Sequence, residues 1–124
     1  MEQGAVSAEL VIAVPALMVM VLTIVQFAVY AHAQHVAQAV AAHALADARA
    51  DGAIAADARA SAEQLAAQLG PGLAHPSVAV DRGADVVTVT VTGTAPTVLP
   101  PFTFTVSVTD TGPVERFPAA GTAP

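Results

Sequence analysis

An α+β fold is predicted: one long N-terminal helix, a short second helix and a small three-stranded antiparallel sheet. Three observations predict it. Leu10 to Ala31 is an uncharged apolar run; Ala33 to Ala50 continues it in helix-forming residues without Pro or Gly; and beyond Gly70-Pro71 the apolar positions switch from helical spacing to alternation.

The apolar run, LVIAVPALMVMVLTIVQFAVYA, has only Thr23, Gln26 and Tyr30 as polar interruptions. About 20 such residues at 1.5 Å each cover the roughly 30 Å hydrocarbon core of a bilayer, so the run reads as a membrane helix. The competing reading is a secretory signal peptide. Its apolar core is usually about 7–15 residues, preceded by basic residues and followed by a small-residue cut site. Here the core is longer and Met1-Glu2-Gln3-Gly4 holds no Lys or Arg, although Ala31-His32-Ala33 has the form of a cut site. Charge does not orient the span, because no Lys or Arg precedes it and the first to follow is Arg49.

From Ala33 to Ala50 the chain is dominated by Ala, the best helix former, with Val36 and Val40 on one face and Gln34, Gln38 and Asp47 keeping much of the rest polar. One helix from about Ala5 to Ala50 would be roughly 68 Å long, part anchor and part stalk. Its small side chains permit close helix–helix approach. High-GC codon bias is the other explanation for so much alanine.

Asp51-Gly52 ends this pattern, since glycine readily takes positive φ. A second helix is expected from about Ile54 or Asp57 to Leu69, stopped by Gly70-Pro71. Ser61 to Gln64 matches a capping box in form only, because the ADARA stretch upstream is also helix-prone.

Three strands follow. Val78 and Val80 alternate with polar or small neighbours, Val87, Val89 and Val91 with threonines, and Phe102, Phe104, Val106 and Val108 with Thr103, Thr105, Ser107 and Thr109. Arg82-Gly83-Ala84-Asp85 is the first turn and Thr94 to Pro101 a longer connection, which favours an antiparallel meander. The valine face needs a cover from the second helix, the stalk or another subunit, while the threonine face reads as solvated. From Thr111 to Pro124 the Pro and Gly content predicts an irregular tail.

Composition bounds the function. At 55% hydrophobic and 11% charged residues, the chain is too apolar to be disordered and too poor in charge for an ordinary soluble domain. A net charge of −6 with four Arg and no Lys leaves no nucleic-acid footprint and no attraction to anionic lipid. Absence of cysteine removes disulfides and thiolate metal sites. His32, His35 and His43 lie on one side of an ideal helix, which reads as a surface stripe rather than a metal site; Asp47, Asp51 and Asp57 read as a solvated junction between helices. No activated Ser, phosphate loop or carboxylate pair stands out, so neither enzyme activity nor a cofactor is expected.

The remaining feature is Gly4-Ala5-Val6-Ser7-Ala8-Glu9. A carboxylate at mid-bilayer would cost about 2.5–3.5 kcal/mol, less near the interface. Glu9 either sits among the headgroups, favoured by the helix dipole, or finds a cation. A cut between Gly4 and Ala5 would supply one, the new α-amino group of Ala5, a turn from Glu9 or reachable from Glu9 of an adjacent copy.

A glycine followed by Ala5, Glu9 as the fifth residue after it and a long apolar helix behind resembles a type IV prepilin signature. Within that group, GAVSAELVIAVPALMVMVLTIVQFAVYAHAQ is similar to the TadE-like family of small pseudopilins in the tight-adherence (Flp) pilus system, with Pro15 where the family places an early proline. Pro113-Val114-Glu115-Arg116-Phe117 is a weaker similarity. The resemblance implies a pilin-like protein whose leader (1–4) is cut after Gly4 by a prepilin peptidase, with Ala5 as the mature N-terminus and Glu9 guiding assembly. It implies an anchor and stalk over 5–50, a small extracytoplasmic αβ domain over 51–111 and a tail over 112–124. The N-terminus would face the cytoplasm, and the partners would be the peptidase, other pilin or pseudopilin subunits, the assembly machinery and the membrane. Prepilin leaders usually carry Lys or Arg just before the glycine, whereas Met1-Glu2-Gln3 stands here. The alternative is a bitopic protein that stays in the bilayer and binds a partner outside through its αβ domain.

Overall fold

The computed structural model describes residues 2–115. The elements are α1 (Glu2–Arg49), α2 (Ala55–Gln68), β1 (Ala74–Arg82), β2 (Val86–Thr94) and β3 (Thr105–Pro113), an α+β fold as expected. Met1 of the expected leader and residues 116–124 of the expected tail, with Arg116 and Phe117, lie outside the described residues.

α1 runs 48 residues, about 72 Å, and is unbroken at Pro15. Pro15 has no N–H to give the Val11 carbonyl, a loss that helices tolerate inside membranes better than in water. α1 has two halves with different surroundings. Leu10 to Val21 is exposed all round, whereas Ala33, Val36, Ala37, Val40, Ala41, Ala44 and Ala48 form a buried stripe at three- and four-residue spacing.

At the end of α1, Ala53 N–H donates to Ala50 O at 3.0 Å, closing a turn that carries Gly52 at φ +75°. α2 starts at Ala55, so Ser61 is interior to the helix and caps nothing. Ala58, Ala62 and Ala66 face inward at four-residue steps, so two alanine stripes bring α1 and α2 close together. Gly70, at φ +85°, then reverses the chain.

The sheet is antiparallel in the order β1-β2-β3. Val87, Val89 and Val91 of the central strand are fully buried, with Val78 and Val106 beside them; Thr88, Thr90 and Thr92 are on the half-exposed opposite face. Burying each valine contributes about 1.5–3 kcal/mol relative to leaving it exposed. The stalk half of α1 and α2 together cover the valine face, two of the three covers the sequence allowed. β1 carries Pro76 at an irregularity between Ala74 and Ser77, an edge position where its missing N–H is tolerated.

The third strand differs from expectation. Alternation predicts a start at Phe102, but β3 begins at Thr105 and runs past Thr111, the expected start of the tail, to Pro113. Thr94 pairs with Thr105, and one further bond joins Ala95 N–H to Phe104 O at 2.9 Å. The next residue, Pro96, has no N–H to offer, so the ladder stops. At the other end Val87 and Val86 pair with Gly112 and Pro113, prolonging the strand.

Candidate functional site

The two ends of the αβ domain differ in chemistry. At the end far from the apolar run, the last carbonyls of α1 are orphaned by helix geometry and need donors. Arg82 supplies them from β1: its Nε donates to Ala48 O at 2.9 Å and its Nη2 to Ala50 O at 3.3 Å. Arg49 reaches the end of β3, donating from Nε to Pro113 O at 2.8 Å, while Glu115 N–H returns a bond to Arg49 O at 2.7 Å. The helix end and the sheet end are thereby fixed together.

The near end is apolar. Between Leu10 and Ala46, Gln64 and Val80, and Val86 and Thr109 there is no Asp, Glu, Lys or Arg. Here the β2–β3 connection docks on α1 through Gln26, whose side chain is 3% exposed. Gln26 Oε1 accepts the N–H of Val98 at 2.7 Å and of Leu99 at 3.2 Å, and its Nε2 donates to Pro96 O at 3.0 Å. Two donors on one side and a carbonyl on the other fix the amide orientation. Tyr30 and Phe104 add an edge-to-face pair with centroids 6.0 Å apart. Beside them an apolar groove of about 440 Å³ is lined by Thr23, Phe27, Tyr30, Leu99, Phe102 and Phe104.

Gly4, Ala5 and Glu9 lie on the first turns of α1, far from the packed domain. Ala5 and Glu9 are one turn apart on the same face and both are exposed. Among the described residues no ion pair involves Glu9. The histidines do not converge: His43 Nε2 lies 3.1 Å from Asp47 and 3.3 Å from Ser61 Oγ on α2, while His32 lies against Gly72. Asp47 and Asp57 border a shallow cleft at the α1–α2 junction. No group of three metal-ligating side chains occurs among the described residues.

Gln26 and the two arginine clamps escape sequence reasoning. A lone amide in an uncharged apolar run is the signal that could have marked Gln26. The arginines had a weaker one, as cations near the ends of a helix and a strand.

A helix long and apolar enough to cross a bilayer, unburied by its own domain over most of that length, makes this a protein fit for a single membrane pass. The packing also bears on the signal-peptide alternative: a cut after Ala33 would remove Gln26, Tyr30 and Ala33 from the assembled domain. The family model described as TadE-like protein matches residues 4–46, so the N-terminal segment is TadE-like, in keeping with the resemblance read from the sequence. The match covers nearly all of α1 and ends before the sheet. It suggests a protein associated with the Tad pilus. No curated protein and no solved structure matches the chain.

Proposed function

We propose that this chain is a minor pilin or pseudopilin of a Tad (Flp) pilus, cut after Gly4 by a prepilin peptidase and assembled through its N-terminal helix. The observation that carries the reading is the placement of Ala5 and Glu9 one turn apart on an exposed apolar helix that the chain's own domain leaves uncovered. Cleavage turns the amide nitrogen of Ala5 into a cation. Within apolar surroundings the attraction between that amine and a carboxylate is several times stronger than in water. Glu9 of one subunit then selects the new N-terminus of its own or a neighbouring chain.

In this reading the N-terminus starts in the cytoplasm, α1 crosses the membrane and the αβ domain stands outside. The exposed face of α1 packs against other pilin or pseudopilin helices once the assembly machinery extracts the subunit. The protein works as a structural subunit and catalyses no reaction.

The test is the intact mass and N-terminal sequence of the protein from cells with and without the prepilin peptidase. A chain beginning at Ala5 only when the peptidase is present supports the proposal. A chain that keeps Gly4 in both strains points instead to a permanent bitopic anchor.

A further inference from the structure

We infer that the β2–β3 connection is a membrane foot: Leu99, Phe102 and the groove they form with Phe27 sit among the acyl chains at the domain-side boundary of the bilayer that α1 crosses. The inference rests on the single membrane pass of α1 and not on pilus membership.

The depth follows from the helix. Leu10 to Ala31 is about 33 Å long at 1.5 Å per residue, so a hydrocarbon core of roughly 30 Å fits almost all of it. Gln26 then lies about 7 Å inside the domain-side boundary, and so does whatever is bonded to Gln26. Pro96, Val98 and Leu99 are bonded to it directly, and Tyr30 holds Phe104 one turn further out.

The chemistry fits that depth. Phe102 is 61% and Phe27 66% exposed on the same side, continuous with the exposed residues Leu17, Met20 and Ile24 of the run. No charged residue interrupts the connection, the Phe rings are apolar enough for acyl chains, and Tyr30 in the groove lining is an amphipathic ring of the kind enriched at membrane interfaces. Irregular backbone is tolerated at membrane depth only where protein satisfies its polar groups. Gln26 does this for Pro96, Val98 and Leu99, which accounts for an amide inside the apolar run.

The test uses the full chain in phosphatidylcholine nanodiscs carrying bromine at defined acyl positions. The protein has no Trp, so single substitutions report cleanly. Phe102→Trp is the probe, Leu99→Trp the second should the first fail to fold, Leu17→Trp the marker for the span and Thr109→Trp the marker for the solvated sheet face. The expected result is loss of emission from Phe102→Trp with bromine near the headgroup, loss from Leu17→Trp with deep bromine, and none from Thr109→Trp. Quenching of Leu17→Trp alone overturns the foot and leaves the span standing. No quenching of either overturns the membrane pass itself. Emission from Phe102→Trp that ignores bromine but changes with the protein-to-lipid ratio overturns the foot in favour of a second copy over the groove.

Discussion

Gln26 Oε1 accepts the backbone N–H of Val98 at 2.7 Å, joining a side chain in the apolar run to a connection more than half the chain away. The bond gives α1 and the sheet a fixed height relative to each other. Together with the clamp of Arg82 on Ala48 and Ala50, it holds the stalk half of α1 against the sheet at both ends. The valine and alanine core lies between these two polar fastenings.

Gln26→Leu should therefore cost more than its conservative volume suggests. It leaves two N–H groups and one carbonyl without their partner, at about 1–3 kcal/mol for each buried group that finds no substitute. The expected outcome is faster amide exchange at Val98 and Leu99 and a lower unfolding midpoint in detergent micelles. Thr23→Val is the control, because Thr23 Oγ1 bonds only Val19 O of its own helix, at 2.7 Å. Unchanged exchange at Val98 in Gln26→Leu would show that the connection holds its place without the amide.

Arg82→Met keeps most of the aliphatic stem and removes both donors from the end of α1. Hydrogen bonds from a charged group contribute more than neutral ones, but Arg82 is half-buried and partly screened, so a loss of about 1–2 kcal/mol is expected. Arg59→Ala gives the comparison. Its pair with Glu63 is an exposed i,i+4 contact with N and O 3.1 Å apart, of a kind that contributes about 0.3–0.5 kcal/mol. Denaturant titration of the two variants should separate them clearly; equal midpoints would mean that the α1 cap does not stabilise the domain.

The elements were legible because each follows a local period: valines at every second position for β1 and β2, and a run without Pro or Gly for the stalk. The start of β3 was not legible, since Phe102 and Phe104 alternate as a strand would. What stops the ladder is Pro96, eight residues from Phe104 and visible as a stop only once the register with Thr94 is known. Alanine was legible only in part. Ala37, Ala41 and Ala44 are fully buried where backbones approach, yet Ala39, Ala42 and Ala46 of the same helix are exposed and need no small side chain. In the candidate site, Gly4, Ala5 and Glu9 entered through the resemblance to a prepilin signature and not through any local period, whereas the partners of Gln26 are long-range and leave no local trace.

Gly93→Ala should destabilise the near end of the sheet. An added Cβ would lie 2.7 Å from Cγ and Cδ1 of Leu73 and 2.9 Å from Ala74 O, and the carbonyl is held in the backbone. Leu73 is itself buried, so it has little room to withdraw. Overpacking of this kind costs about 1–3 kcal/mol. Leu73→Val in the same chain should recover part of the loss, a non-additive result that a double-mutant cycle in detergent would detect. Strict additivity would mean that the clash with Leu73 is not the cause.

Glu9→Ala separates insertion from assembly. The exposed apolar run that partitions into the bilayer is unaltered, so membrane fractionation should give the wild-type amount of protein. Removing the carboxylate deletes the partner that the Ala5 amine would have in the proposed pilus, so co-isolation with other subunits and pilus formation should be lost. Glu9→Gln sharpens the reading, because it keeps the size and the hydrogen-bonding ability of the side chain and deletes only its charge. If charge pairing drives assembly, Glu9→Gln fails as Glu9→Ala does; if Glu9→Gln assembles normally, hydrogen bonding is the operative contact. Normal pili in both variants would remove Glu9 from assembly and leave it as the polar end of a membrane helix.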